Sequence, residues 1–241
     1  AYEQLAPLVW SASHKRATSG WSDAGVLVPY FLWQHYGDRT LVDENWDSMV
    51  RYMDYLAAHG GPDRSCYGDW CTQEMGVQEG NHYVRTQSQE YMDLFSAFYW
   101  VWDAQAMREL AAATGRTAEA TRFAADERAA RAAFAKRYLG PDGRLRPELR
   151  CQTSGLYLLK LGLCGGDAAA EAERRELLEN FHAKGDRLQT GFLGTSVLMD
   201  TLSFDADAHA TAVTLLLQRE NPSWLYSVDQ GATTIWERWN S

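Results

Sequence analysis

Three short segments of the chain each combine a tryptophan with a carboxylate among turn-forming residues. They are Gly20–Ala24 (GWSDA), Tyr67–Trp70 (YGDW) and Gly231–Trp239 (GATTIWERW). Flat apolar rings with a polar edge suit the faces of sugar rings, and hydrolysis of a glycosidic bond needs two carboxyl groups beside that bond. One of them donates a proton to the leaving oxygen, and the other activates water or attacks directly. These residue types therefore indicate carbohydrate chemistry, and we expect the three loops to line one pocket.

Glu237 is the best candidate for a general base. It lies between Trp236 and Trp239. Aromatic walls that exclude water make a carboxylate a stronger base, an effect that the adjacent Arg238 opposes. The competing interpretation is a structural glutamate that pairs with arginine at the start of a helix.

The other two segments supply further candidates for a sugar site. Trp21 and Trp70 offer flat rings, and Asp23 and Asp69 offer carboxylates. The two aspartates are equally suited to capping helices, because serine and glycine lie beside them. The two tryptophans are also suited to filling the core or plugging loops. Aromatic residues make up 12% of the chain, and core packing competes with sugar binding as the explanation.

Composition argues against several classes of function. A formal net charge of -9 and a pI near 5.1 disfavour an electrostatic grip on nucleic acid or anionic lipid. No run approaches the roughly 18 consecutive apolar residues of a membrane helix, and 46% hydrophobic residues are typical of a chain that folds. We therefore expect a soluble chain whose partner is neutral or small.

The cysteines and glycine-rich stretches do not match a cofactor site. Four cysteines are too few for a disulfide scaffold and indicate free thiols in a reducing, cytoplasmic compartment: Cys66, Cys71, Cys151 and Cys164. No Cys-x-x-Cys or His-x-x-x-His spacing is present, so no metal is predicted. Gly191–Thr195 (GFLGT) lacks the lysine of a phosphate loop, so no nucleotide cofactor is predicted.

The elements that must position these residues are helices. The hydrophobic period is near 3.6 almost everywhere, which predicts an all-α fold. A capping box at Thr40–Asp43 opens one amphipathic helix. Its apolar stripe consists of Val42, Trp46, Met49, Met53 and Leu56.

Apolar and charged helices alternate along the chain. An apolar helix over 87–114 is expected on an inner wall, and a charged helix over 118–138 is expected outside it. The alternation continues over four segments: 152–163, 168–184, 191–202 and 206–219. Roughly eight or nine helices in antiparallel pairs predict a toroid or solenoid of hairpins, with a bundle as the alternative. No linker divides the chain, so we expect a single domain over 1–241.

The motifs resemble those of the α-L-rhamnosidases of glycoside hydrolase family 78. They occur in family order over nearly the whole chain: GWSDA at Gly20–Ala24 followed by Pro29, Tyr36–Asp38, Gly68–Trp70, Thr190–Thr195, Pro222–Trp224 and Gly231–Trp239. The resemblance implies an (α/α)6 toroid that hydrolyses terminal α-L-rhamnose with inversion and without a cofactor. The substrate would be a rhamnose-containing glycoside or oligosaccharide.

The resemblance also assigns roles to residues. It implies that Glu237 is the general base and that Trp236 lies beside it at the substrate. It further implies that Trp21, Asp23 and Trp70 line the sugar pocket, with Asp69 beside them.

Several parts of the family pattern are not found. The family's general acid is a glutamate upstream of the GWSDA motif, and residues 1–20 contain no match, since Glu3 has an unrelated context. A histidine downstream of the base, several toroid helices and the accessory β-domains are also absent. The pattern therefore predicts a catalytic-domain fragment that is weakly active or inactive alone, with exposed apolar edges that favour homo-oligomers. The alternatives are another (α/α)6 sugar hydrolase, such as a glucosidase or fucosidase, and a non-catalytic carbohydrate-binding or interaction module.

Overall fold

The computed structural model of the chain describes residues 2, 17–64, 66–74, 78–79, 82–83, 87–203 and 206–239. Glu3 lies outside the described residues. The chain forms two compact units. Unit 1 comprises residues 1–67 and 89–137, and unit 2 comprises residues 68–88 and 138–241. Each unit is described by itself, and the single domain over 1–241 stays a prediction.

The described residues of unit 1 form four α-helices and one short 3-10 helix at Gly61–Asp63. The α-helices are α1 (Ala24–Tyr36), α2 (Thr40–Ala58), α3 (Gln89–Ala113) and α4 (Thr117–Tyr138), whose last residue belongs to unit 2. The predicted stripe of α2 is buried as expected: Val42, Trp46, Met49, Met53 and Leu56. Helix α4 also buries one apolar face, which consists of Phe123, Ala130, Phe134 and Tyr138. Helix α3 is buried around most of its circumference, because α1, α2 and α4 all pack against it. The burial of α3 on several sides is what its apolar sequence predicts, and its place on an inner wall stays a prediction.

The start of α2 differs from the predicted capping box. Thr40 is the first helical residue and not the cap, and Arg39 at the cap position makes no side-chain capping bond. The Thr40 N–H instead donates to Asp38 Oδ1 at 2.8 Å. Asp43 pairs with Arg39 and Arg116. The helix begins one residue earlier than the motif suggested, so the aspartate that precedes it supplies the acceptor.

Unit 2 contains the remaining helices of the described residues. They are α5 (Gln152–Lys160), α6 (Asp167–Ala183), α7 (Phe192–Thr201), α8 (Ala206–Leu217) and α9 (Trp224–Asp229). Two strands of two residues each, β1 (Gln78–Glu79) and β2 (His82–Tyr83), pair antiparallel. The predicted helices over 152–163, 168–184, 191–202 and 206–219 are all found. The six-residue helix α9 was not predicted, because it is too short to show a period.

Helix α5 is the centre of unit 2. It packs on α6 and on α7, and its Tyr157 hydroxyl donates to the Leu193 carbonyl at 3.2 Å. A Cβ at Gly155 would lie 3.1 Å from Glu173 Oε1, so α6 packs tightly against this glycine of α5. The all-α prediction is confirmed. Over the described residues, no helix is long and apolar enough to cross a membrane.

Candidate active site

Unit 2 contains a pocket of about 310 Å³ with aromatic walls. This volume falls within the range of small-molecule sites. The lining comes from four places: Cys71, the start of α7, Trp224 of α9, and the segment that precedes residue 240. The described lining residues are Cys71, Gly191, Phe192, Thr195, Ser196, Trp224, Ile235, Trp236, Glu237 and Trp239.

The tryptophan wall of this pocket is held from several directions. The rings of Trp224 and Trp239 meet edge to face, with centroids 6.0 Å apart and planes at 74°. The Trp239 indole N–H donates to the Thr190 carbonyl at 2.7 Å, and the Asn221 side chain donates to the Trp239 carbonyl at 2.6 Å. Ser223 caps α9 through the Tyr226 N–H at 3.1 Å. A fixed wall of this kind offers a preorganised surface for the apolar face of a sugar ring.

Glu237 lies at the edge of the pocket and is exposed. Residues 231–239 run as turns and bends along the surface, and Ile235 in this segment is 80% exposed. The neighbouring tryptophans therefore do not shield Glu237 from water as the sequence suggested. The alternative of a glutamate at the start of a helix is not supported either, since this segment forms no helix.

Asp69 is fully buried, and both oxygens of its carboxylate are occupied. Oδ2 accepts from the Thr153 hydroxyl at 2.6 Å and from the Gly191 N–H at 2.7 Å. Oδ1 accepts from the N–H groups of Leu193 at 2.8 Å and Gly194 at 3.2 Å. Burial raises the pKa of Asp69 above its ordinary value, although the four hydrogen bonds act to lower it. Asp69 therefore caps α7, a helix more than 120 residues further along the chain.

The loop that carries Asp69 also supports two helices through other bonds. The Phe192 N–H donates to the Trp70 carbonyl at 2.8 Å, which fixes the backbone of the half-buried Trp70. The Gln73 N–H donates to the Gln189 carbonyl at 2.8 Å. Glu74 accepts from the Gln152 N–H at 2.6 Å, at the start of α5. Residues 69–74 thus supply acceptors at the beginnings of both α5 and α7.

Asp23 is fully buried in unit 1 within a cluster of charged groups. Its carboxylate accepts from Arg64 at 2.8 Å, from the Tyr52 hydroxyl at 3.0 Å and from the Gly20 N–H at 2.7 Å. Arg64 also contacts Asp103 at 3.2 Å. Burial and the nearby Asp23 raise the pKa of Asp103 well above its ordinary value, although Arg64 opposes them. One guanidinium therefore contacts two buried carboxyl groups, and Asp103 holds its proton more firmly than an ordinary aspartic acid.

Trp21 follows a glycine of the same loop and stays half-buried. Its ring meets Tyr67 edge to face, with centroids 5.0 Å apart. In both loops, therefore, the aspartate lies inside and the tryptophan keeps part of its ring exposed.

The described residues hold no group of three or more His, Cys, Asp or Glu side chains that could bind a metal ion. The four cysteines are free thiols, and Cys66, Cys71 and Cys151 are buried. The pocket chemistry therefore rests on aromatic rings, hydroxyl groups, one thiol and the carboxylate of Glu237.

A family model described as the bacterial alpha-L-rhamnosidase six-hairpin glycosidase domain matches residues 1–241. The chain belongs to this family. The predicted fold class, an all-α arrangement of helical hairpins of the (α/α)6 toroid type, is confirmed by this match and by the solved structures below.

Curated relatives of this rhamnosidase-family domain are alpha-L-rhamnosidases. One from Streptomyces avermitilis is 32% identical over 245 residues, covering 100% of this chain and 22% of the relative. One from Alteromonas sp. is 29% identical over 227 residues, covering 93% of this chain and 24% of the relative. The chain therefore spans about a quarter or less of the length of these relatives.

Solved structures of rhamnosidases share the fold. The Streptomyces avermitilis enzyme complexed with L-rhamnose aligns with a TM-score of 0.75 at 31% identity, over 93% of this chain and 20% of that chain. The native Aspergillus terreus enzyme aligns with a TM-score of 0.80 at 25% identity, over 93% of this chain and 26% of that chain.

The rhamnosidase-family pocket includes only some of the predicted site residues. Trp236 and Glu237 line it. Asp69 and Trp70 lie in the loop behind its α7 wall, and Trp21 and Asp23 belong to unit 1. Sequence reasoning did not select these lining residues: Cys71, Phe192, Thr195, Ser196, Trp224 and Trp239. Most of them lie within or beside the quoted family motifs, so motif membership was the signal that could have found them.

Proposed function

We propose that this domain is a glycoside hydrolase that removes terminal α-L-rhamnose with inversion, with Glu237 as general base. The observation that carries the proposal is the pocket of unit 2, where three tryptophans and Glu237 line one cavity. The family membership and the names of the relatives support the same sugar and reaction class. Rhamnose lacks a hydroxyl on its sixth carbon, so it presents an apolar methyl group that suits aromatic walls.

The proposed chemistry needs no cofactor. The sugar ring packs against the wall of Trp224, Trp236 and Trp239, and a water beside Glu237 is the nucleophile. The exposed carboxylate accepts the water proton while the water attacks the anomeric carbon. Trp21 and Trp70 have partly exposed rings and remain proposed binding residues, whereas Asp23 and Asp69 are proposed to act from behind the loops that carry them.

A general acid is not supplied by the described lining of this pocket, in which Glu237 is the single carboxylate. An inverting hydrolase needs a second carboxyl group about 6.5 to 9.5 Å from the base. We therefore expect the chain alone to hydrolyse alkyl rhamnosides weakly or not at all. An activated leaving group such as 2,4-dinitrophenolate departs without being protonated, so a dinitrophenyl rhamnoside bypasses the acid.

The test of Glu237 uses that activated substrate. Replacing Glu237 with alanine should lower kcat by about 10²-fold to 10⁴-fold, because the water loses its proton acceptor. Azide needs no deprotonation, so added azide should restore turnover and give rhamnosyl azide of inverted configuration. Glu44→Gln is the control, since Glu44 is exposed on α2. Full activity of Glu237→Ala, or no effect of azide, would remove Glu237 from the role of base.

A non-catalytic rhamnose-binding module is the second candidate. The exposure of Glu237 and the lack of another carboxylate in the described lining favour it. Titration with L-rhamnose, followed by tryptophan fluorescence, separates the two functions. Unchanged rhamnose binding by Glu237→Gln, with no hydrolysis of the dinitrophenyl rhamnoside by the unmutated chain, supports the binding module.

Three further proposals concern specificity, assembly and compartment. A panel of dinitrophenyl rhamnosides, fucosides and glucosides tests which sugar is preferred, and we expect a preference for rhamnose.

Exposed apolar side chains on unit 2, including Leu217, Val228 and Ile235, support a homo-oligomer, which sedimentation equilibrium would detect. Four free cysteines support a reducing cytoplasmic location, and thiol titration of protein isolated from cells should find four reactive groups after unfolding. The lack of nucleic-acid binding stays a prediction.

A further inference from the structure

The carboxylate of Asp69 has no room for a sugar hydroxyl. It is 0% exposed, and its two oxygens already accept four hydrogen bonds. A carboxylate has about four acceptor positions, so a sugar contact would displace an existing donor. Any influence of Asp69 on the pocket must therefore act through the groups that it binds.

Three of those groups are backbone N–H donors at the beginning of α7. Gly191 at the cap position has no side chain that could cap the helix itself. Asp69 substitutes for the missing cap from another part of the chain. The same turn of α7 carries Phe192 and Thr195, which line the pocket. The position of this wall thus depends on the Asp69 carboxylate.

The loop that carries Asp69 packs tightly against the start of α7. A Cβ at Gly191 would lie 2.1 Å from the Trp70 carbonyl oxygen and 2.6 Å from the Thr72 nitrogen. A Cβ at Gly194 would lie 2.3 Å from Thr153 Oγ1. Only glycine at position 191 allows the backbones of the loop and α7 to approach this closely, and glycine at position 194 lets α7 approach the Thr153 side chain of α5. A displacement of the loop is therefore transmitted directly to the start of α7.

The same turn is joined to the segment that carries Glu237. Thr190 precedes Gly191, and its carbonyl accepts the Trp239 indole N–H at 2.7 Å. The hydroxyls of Thr190 and Thr195 are also hydrogen-bonded, at 2.8 Å. A continuous series of short contacts thus runs from Asp69 through residues 190–194 to Trp239, two residues beyond Glu237.

We propose that Asp69 is a positioning residue of the sugar pocket, which fixes the α7 wall and Trp239 without contacting the sugar. This inference rests on the proposed function. It assigns to Asp69 a role different from the direct sugar contact that the family resemblance suggests for its neighbours.

The first experiment needs no sugar. In ¹H–¹⁵N spectra of unmutated protein and Asp69→Asn, the Trp239 indole N–H is assigned by Trp239→Phe. Asp69→Asn should shift this signal and speed hydrogen exchange at the Leu193 and Gly194 amides by about tenfold, the effect of losing about one hydrogen bond. Asp200→Asn is the matched control, because Asp200 is exposed on the same helix. An unchanged indole signal with unchanged exchange would overturn the proposal.

The second experiment separates positioning from contact. Rhamnose and its 2-, 3- and 4-deoxy analogues are titrated against unmutated protein and Asp69→Asn under conditions where both are folded. A positioning residue weakens all four ligands by the same factor, expected to be about tenfold. If the effect of Asp69→Asn disappears for one deoxy analogue, Asp69 contacts that hydroxyl and the proposal fails. If the unmutated chain binds none of them, the proposed function fails and the indole experiment still decides the role of Asp69.

A milder pair of variants covers the case in which Asp69→Asn does not fold. Thr153→Val removes the hydroxyl that donates to Asp69 Oδ2, and Thr153→Ser retains a hydroxyl. Thr153→Val should shift the Trp239 indole signal and speed exchange at Gly191 by about threefold, whereas Thr153→Ser should resemble the unmutated protein. The same Trp239 indole signal and the same Gly191 exchange rate in the two variants would overturn the proposal.

Discussion

Asp23 in unit 1 and Asp69 in unit 2 are both fully buried, but their charges are stabilised differently. Asp23 is paired with a cation, because Arg64 lies 2.8 Å away. The four hydrogen bonds to Asp69 come from neutral donors, which are a threonine hydroxyl and three backbone N–H groups at a helix start. Both loops contain glycine, aspartate and tryptophan, yet they stabilise a buried carboxylate in different ways. The loop of Asp23 uses an ion pair, and the loop of Asp69 uses the capping of a helix.

Removing the cation of unit 1 should have the largest effect. Arg64→Met leaves Asp23 buried without its counter-charge, and the side chain of Arg64 is only 3% exposed. The free energy of unfolding should fall by about 3–5 kcal/mol, the range for breaking one side of a buried ion pair. Urea denaturation followed by circular dichroism measures it.

The control for that change is an exposed pair in the same unit. Arg39 contacts Asp43 at 3.4 Å with the two side chains 47% and 45% exposed, so Arg39→Met should change stability little. Equal losses for the two arginine variants would mean that Asp23 does not depend on its cation.

A smaller loss is expected when the acceptor of unit 2 is weakened. Asp69→Asn keeps the shape of the side chain but turns one acceptor oxygen into a donor that faces backbone N–H groups. The free energy of unfolding should fall by about 1–3 kcal/mol, the cost of buried unsatisfied donors. Adding salt should leave this difference unchanged, because the partners of Asp69 in these bonds are neutral. A strongly salt-dependent difference would contradict capping by neutral donors.

The smallest effect should come from Asp103→Asn, and it should depend on pH. The pKa of Asp103 is raised by burial and by Asp23, so the folded state binds this proton more tightly than the unfolded state. Stability from this group is therefore fully present below the ordinary pKa of 3.8 and is lost as pH rises through the raised value. The asparagine variant cannot lose a proton, so its stability relative to the unmutated protein should increase with pH. Urea unfolding at several pH values between about 4 and 8 measures this trend.

A group with the opposite shift serves as the comparison for that experiment. The pKa of Asp142 is lowered, chiefly by the hydrogen bond from the Arg144 N–H. Its contribution is present above 3.8 and is lost as pH falls through the lowered value. Asp142→Asn, measured between about pH 2 and 5, should therefore lose stability relative to the unmutated protein as pH rises, which is the opposite of the trend for Asp103→Asn over its own pH range. The same direction for both variants would contradict the raised pKa of Asp103.

The helices were predictable because their signal is local and repeated. The stripe of α2, from Val42 to Leu56, shows the helical period over several turns, and the structure buries all of it. The capping of α2 was misread, because the motif alone does not say at which residue the helix begins. Helix α9 has six residues and gives too little periodicity to detect.

The role of Asp69 could not be read from the sequence for a different reason. Three of its four partners are backbone N–H groups more than 120 residues away, and a backbone N–H group does not show in a pattern of residue types. The sequence did allow helix capping as the alternative for Asp69, but it could not say which helix. Trp236 and Glu237, by contrast, could be predicted from the sequence, because an aromatic residue and a carboxylate are neighbours in one motif. Both residues line the pocket.

The bonds that the loop at residues 69–74 makes to α5 and α7 have a consequence for the order of folding. Glu74 and Gln152 are separated by 78 residues, and Asp69 and Gly191 by 122. Closing such long stretches of chain costs more conformational entropy than forming a helical turn, so these bonds are expected to form late. In pulse-labelled refolding, the Gly191 and Leu193 amides should gain protection after those in the middle of α6, and simultaneous protection would show that the helices cannot form without the loop.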